Sequence, residues 1–188
     1  MRAFAKTDVG KAREINEDYY YISNQEDKVQ IFILADGMGG YNGGEIASKL
    51  ATSTALSYIQ SNFESVPKDR EEILKLVKSA VEYANMVVYE KAKSDKELQG
   101  MGTTLEVCLI YNNKVYIGHV GDSRVYRIRK EFIRKLTHDH SYVQKLVKDG
   151  TITQEEANHH PKKNMLMKAL RMYSFCRARC NSKRIHKR

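Results

Sequence analysis

An α+β fold is predicted by three features of this 188-residue sequence. A continuous apolar run, VQIFILAD at residues 29–36, reads as a buried strand entering a glycine-rich turn. Two stretches with apolar residues every three or four positions follow it and read as long amphipathic helices. From Thr103 the period returns to two in TTLEVCLIY, KVYIGHVGD and SRVYRIR, which predicts a meander turning at Asn112-Asn113.

The remaining elements follow in order. RAFAKTD at residues 2–8 alternates well enough for a strand, KAREINED forms a polar loop, and DYYYIS from Asp18 is a second, aromatic-rich strand. The first helix runs from about Gly44 to Phe63, with Ile46, Ala47, Leu50, Ala51, Leu56 and Ile59 near one face. The second follows Pro67, with Ile73, Leu74, Val77, Val81, Ala84 and Val88 on its apolar side. Both are expected to cover a sheet. Later, HDHSYVQKLVKDG gives a short helix closed by Asp149-Gly150, and a polar helical turn runs to a proline stop at Pro161. After Leu170 no useful period remains.

Composition narrows the function classes. With 41% apolar and 29% charged residues the chain has the makings of one folded domain. No apolar stretch reaches the roughly 18–20 residues of a bilayer span, and the start lacks a signal-like run, so a cytoplasmic location and no membrane partner are expected. Three cysteines without framework spacing agree with a reducing compartment. The net charge of +9 is concentrated: seven of the 32 basic residues and none of the 23 acidic ones lie in residues 171–188. The body is therefore almost neutral, which argues against nucleic acid as its partner.

Three segments carry chemistry. Asp36 ends the buried strand and opens Gly37-Met38-Gly39-Gly40, so a rigid element holds its carboxylate while the glycines let backbone oxygens approach a hard cation. Taken alone, an Asp-Gly pair only makes a turn. Arg13 to Asp18 places a guanidinium, suited to bidentate phosphate binding, ahead of the acid pair Glu17 and Asp18. Such a charged loop is also ordinary solvated surface. Asp122, in Gly121-Asp122-Ser123-Arg124, sits in a turn between strands that could also aim it into a cleft.

In combination, RxxNED at 13–18, DGMGG at 36–40, GTT at 102–104 and GHVGDSR at 118–124 resemble the bacterial branch of the PP2C-like (PPM) protein serine/threonine phosphatases in order and spacing. LTHDHS at 136–141 and GTITQEEANHHPKKN at 150–164 look like later motifs of that family, the second being its flap. The resemblance covers about residues 3–170. It implies a four-layer αββα sandwich, two antiparallel sheets flanked by helices, with Mn²⁺ or Mg²⁺ at one end, two or three ions in intact members. By motif match Asp36 would bridge two ions, the Gly37 carbonyl would complete one sphere, and Glu17 and Asp18 would act directly or through waters. Asp122 would serve a further ion and Arg13 would hold the substrate phosphate. The implied reaction is hydrolysis of phosphoserine and phosphothreonine in proteins, opposing a bacterial Ser/Thr kinase; a degenerate, purely phosphoprotein-binding domain is the alternative. Met38 stands where eukaryotic members usually have a histidine, so no general acid comes from that position.

The chain departs from the pattern after Leu170. Family members continue into further strands carrying an aspartate in a DG and another in a DN motif, whereas the last aspartate here is Asp149. We therefore expect residues 1–170 to form an incomplete phosphatase domain with its C-terminal strands missing. Residues 171–188 are expected to be a basic, disordered or frameshift-derived tail, and activity is expected to be impaired. Cys176, Cys180 and His186 make at most half a zinc site, and His138-Asp139-His140 is expected to be structural rather than ligating.

Overall fold

The computed structural model describes residues 1–39 and 43–170, together with the backbone of residues 179–184. Strand β1 (Asp18–Ile22) pairs antiparallel with β2 (Gln30–Met38), so that Asp18 lies opposite Asp36. The turn between them is tied by Asp27, whose carboxylate accepts from the Asn24 amide at 2.9 Å. Helix α1 (Gly44–Asn62) follows, then α2 (Arg70–Ser94), whose first turn is capped by the Asp69 carboxylate accepting from the Glu71 and Glu72 amides.

Strand β3 (Gly102–Thr103) pairs with the end of β2, and β4 (Leu105–Tyr111) with its body. Strand β5 (Lys114–Val120) folds back on β4 through Asn112 and Asn113, both at positive φ, as a two-residue hairpin loop requires. A second, two-stranded sheet consists of β6 (Tyr126–Arg129) and β7 (Phe132–Lys135). Helices α3 (Tyr142–Lys148) and α4 (Gln154–His159) follow, the latter opened by a Thr153/Glu156 capping box. Two antiparallel sheets with helices give the expected α+β class.

Period-two alternation separates the two faces of the main sheet. Ile31, Ile33 and Ala35 of β2, Leu105, Val107 and Leu109 of β4, and Tyr116 and Val120 of β5 point toward the helices. There they meet Ala47, Ala51, Ala55 and Ile59 of α1, and Ile73, Val77, Ala80, Val81, Ala84 and Val88 of α2. The small residues of α1 let it lie close to the strands. Ile46, expected on that buried face, is instead exposed, because the stripe runs through Ala47, Ala51 and Ala55. The opposite face carries Asp18, Tyr20 and Ile22 of β1, Phe32, Leu34 and Asp36 of β2, and Glu106 and Cys108 of β4. The β6–β7 hairpin leaves Ile128 (70%) and Phe132 (79%) exposed.

Two expectations are corrected. Residues 2–8 alternate but form no strand, since among the described residues no neighbouring strand takes up their backbone hydrogen bonds. The tail expected to be disordered or frameshift-derived is not disordered throughout: it supplies β8 (Arg179–Arg184), which pairs antiparallel with β5 from Lys114↔Arg184 to His119↔Arg179. The free edge of β5 offers unpaired backbone groups, a template that accepts a strand with little regard to side-chain pattern. The proposed half zinc site lies outside the described side chains.

Candidate active site

The acid end of the main sheet is built around Asp36. Its backbone is gripped on both sides by the Gly102-Thr103-Thr104 segment. The Asp36 amide donates to Thr104 Oγ1 at 2.9 Å, the Thr104 amide donates to the Asp36 carbonyl at 2.9 Å, and Thr103 Oγ1 donates to the same carbonyl at 3.0 Å. Thr104 Oγ1 also shares a hydrogen bond with Ser123 Oγ at 2.9 Å, linking Asp36 to the turn that carries Asp122. Sequence reasoning noted the GTT motif without this role; two consecutive threonines at a strand entry are its signal.

Gly37 is required by close approach rather than by dihedral freedom. A Cβ there would collide with the carbonyl oxygens of Gly44 and Glu17, because the end of β2, the start of α1 and the loop before β1 converge at that point. The Gly37 amide donates to the Glu17 carbonyl at 3.1 Å. The Glu17 side chain lies against Gly44 and accepts from Arg13 Nη1 at 2.6 Å. Arg13 stays 64% exposed, so its guanidinium is open to a solvent-borne ligand. Asn16 accepts from the Asp18 amide at 3.0 Å and donates to Thr7 at 2.7 Å, ordering the loop that delivers Arg13, Glu17 and Asp18. Gly121 adopts φ +119°, where only glycine is comfortable, and turns the chain so that Asp122 leaves β5 at the same end.

These groups act on one another electrostatically. Desolvation by the surrounding chain, then the charges of Asp18 and Asp122, raise the Asp36 pKa to about 6; Arg13 opposes this and Glu17 adds to it. All five predicted side chains, Arg13, Glu17, Asp18, Asp36 and Asp122, are thus brought to one end of the sheet, with Gly37 beside them. Among the described residues, however, no three His, Cys, Asp or Glu side chains stand close enough to enclose a metal ion. The fit to a divalent cation therefore lies in the donor chemistry: hard carboxylate oxygens around Asp36 whose mutual repulsion a cation would relieve. Glu17 is turned toward Arg13 rather than into that group.

Below the acid row lies a pair that the sequence reading did not single out. Glu106 and His119 are directly opposite on β4 and β5, both buried, and hydrogen-bonded through Oε1 and Nδ1. Burial raises the Glu106 carboxyl to about 7 against the pull of His119. Burial works to lower His119, but its bond to Glu106, the charges of Glu106 and Asp139 and the His138 carbonyl together outweigh this and hold it above its ordinary value. Asp139 of LTHDHS is also structural: it accepts from Arg124 Nε and Nη2 at 3.0 and 2.7 Å and from Lys135 Nζ at 2.9 Å. These partners hold its carboxyl below the usual range although burial opposes them.

Comparison with known proteins agrees with this architecture. The protein phosphatase 2C family model matches residues 10–174, and the chain belongs to that family. It is 37% identical over 170 residues to the serine/threonine phosphatase stp of Listeria innocua, covering 90% of this chain and 67% of that one. Against protein phosphatase PhpP of Streptococcus pneumoniae it is 40% identical over 167 residues, covering 87% and 65%. The structure superposes on serine/threonine phosphatase Stp1 from Staphylococcus aureus with a TM-score of 0.85 at 35% identity, over 96% of this chain and 70% of that one. A catalytic domain of the phosphatase PstP, in complex with two manganese ions, superposes with a TM-score of 0.78 at 31% identity, over 96% and 71%. The chain thus spans about two thirds of the length of its curated relatives.

Proposed function

We propose that this domain hydrolyses phosphoserine and phosphothreonine in proteins with the help of Mn²⁺ or Mg²⁺. The reading is carried by one observation: three further carboxylates and an exposed arginine converge electrostatically on Asp36 at the end of a rigid strand. Divalent ions bound there would supply Lewis acidity and an activated water at neutral pH. Asp36, Asp18 and Asp122 would hold them, with Glu17 and the Gly37 carbonyl at the edge of the group. Arg13 would release Glu17 to bind the phosphate oxygens of the substrate, offsetting charge on the group being transferred. The Thr103-Thr104 grip keeps Asp36 from shifting as charge moves, which is the preorganisation such catalysis depends on.

Phosphorylated products of a Ser/Thr kinase in the cytoplasm are the substrates this reading favours. No helix among the described residues is long and apolar enough to cross a membrane. The 188-residue chain carries no acid beyond Glu156, so the donors that the family draws from later motifs are not supplied within it. The reading predicts metal-dependent phosphate release by the acid end of the sheet. Phosphate release from a phosphothreonine peptide with and without Mn²⁺ tests this. Metal-dependent release lost in Asp36→Asn supports the reading; metal-independent release, or release unchanged in Asp36→Asn, contradicts it. Tight peptide binding without any release would select the degenerate, binding-only alternative.

A further inference from the structure

We infer that Glu106, His119 and His140 form a positioning device that clamps the turn carrying Asp122 at the acid end of the sheet. The inference rests on the reading that this end takes divalent cations. His119 Nε2 contacts the His138 carbonyl at 2.7 Å, and since a carbonyl only accepts, Nε2 carries the hydrogen. The contact between His119 Nδ1 and Glu106 Oε1 then holds one proton, placed on one partner or the other. With both ring nitrogens engaged, the imidazole cannot rotate. His140 stacks on it, ring centroids 4.5 Å apart and planes 26° from parallel. His140 in turn clasps Gly121 twice: its amide donates to the Gly121 carbonyl at 2.7 Å, and its Nδ1 accepts from the Gly121 amide at 3.2 Å. Gly121 directly precedes Asp122 and sits at φ +119°.

The placement argues for more than packing. Ile117, the neighbour of the pair on its own face of the sheet, is apolar and buried, and an apolar pair at 106 and 119 would fill the sheet as well or better. Instead two ionisable groups are buried, with Glu106 Oε2 lacking a hydrogen-bond partner among the described residues. Such a cost is understandable where ring orientation matters, as in the carboxylate–histidine pairs behind metal ligands.

The test follows Gly121 amide exchange by NMR without metal, and Mn²⁺ uptake by the paramagnetic resonance of the free ion, in the full chain. His140→Ala is expected to speed exchange at Gly121 about tenfold or more. It should also weaken about tenfold the part of Mn²⁺ uptake that Asp122→Asn weakens, sparing the part that Asp36→Asn removes. Glu106→Gln, whose amide donates to His119 Nδ1, should retain wild-type values for both, whereas Glu106→Ala should not. Unchanged Gly121 exchange in His140→Ala overturns the clamp. So does a loss of protection spread evenly over β4 and β5, which marks a merely structural role. If the wild-type chain takes up no Mn²⁺, the phosphatase reading fails, and Gly121 exchange still decides whether the clamp exists.

Discussion

The two faces of the main sheet are made by the same strands and do opposite things. Toward the helices, β2 and β4 present Ile31, Ile33, Ala35, Leu105, Val107 and Leu109, all buried in one apolar cluster. Toward the other side the same strands present Leu34, Asp36 and Glu106, beside Asp18 of β1 and His119 of β5. A strand alternates faces residue by residue, so stability and chemistry interleave in sequence while remaining separate in space. Mutations one position apart should therefore fall into different classes.

The largest expected effect is on the chemical face. Asp36→Asn should lower metal-dependent phosphate release by about a hundredfold or more. Its melting temperature should stay equal or rise, because the carboxylate it removes is crowded by Asp18 and Asp122. A clear drop in melting temperature would break the comparison. On the apolar face, Ile33→Ala should cost about 2–5 kcal/mol by opening a cavity against the helices, measured by urea unfolding, with metal uptake retained at low denaturant.

A smaller effect is titratable. Glu106 and His119 both hold protons more tightly in the folded chain. For a raised pKa the stabilisation is complete below the unfolded value and is lost as pH rises through the folded one. Stability should therefore fall as pH rises from about 4.5 to about 7, the span between the ordinary and the folded value of Glu106, by about 1 kcal/mol per pH unit for one proton. Urea midpoints across that range check the slope, which should flatten in Glu106→Gln. Asp139 has the opposite sign, its contribution being lost only as pH falls below the ordinary carboxylate range, so it does not cancel the slope. The smallest effect sharpens the contrast from outside: Asp69→Ala removes the cap of α2 and should cost about 1 kcal/mol without changing metal uptake.

Much of this was legible in the sequence, for identifiable reasons. The apolar run into Asp36, the two helical stripes and the Asn112-Asn113 turn each have a period or a turn chemistry that needs no tertiary context. Arg13, Asp18, Asp36 and Asp122 were legible as a set only through the order of their motifs, since each alone passes for a loop or turn. The Glu106–His119 pair could have been found: a two-residue loop at 112–113 places 106 opposite 119, and both are polar interruptions of apolar strands. The missing strand at residues 2–8 and the unexpected β8 share one cause. Whether a segment becomes a strand is decided by an available edge, which local alternation does not encode.

The central claim is that the acid end of the sheet is a divalent-cation site organised by Asp36. Titration calorimetry of Mn²⁺ into the 188-residue chain and into Asp36→Asn tests it most directly. The account predicts saturable binding to the wild-type chain and the loss of at least one bound ion in the variant. Equal binding by both chains, or none by the wild type, would contradict it.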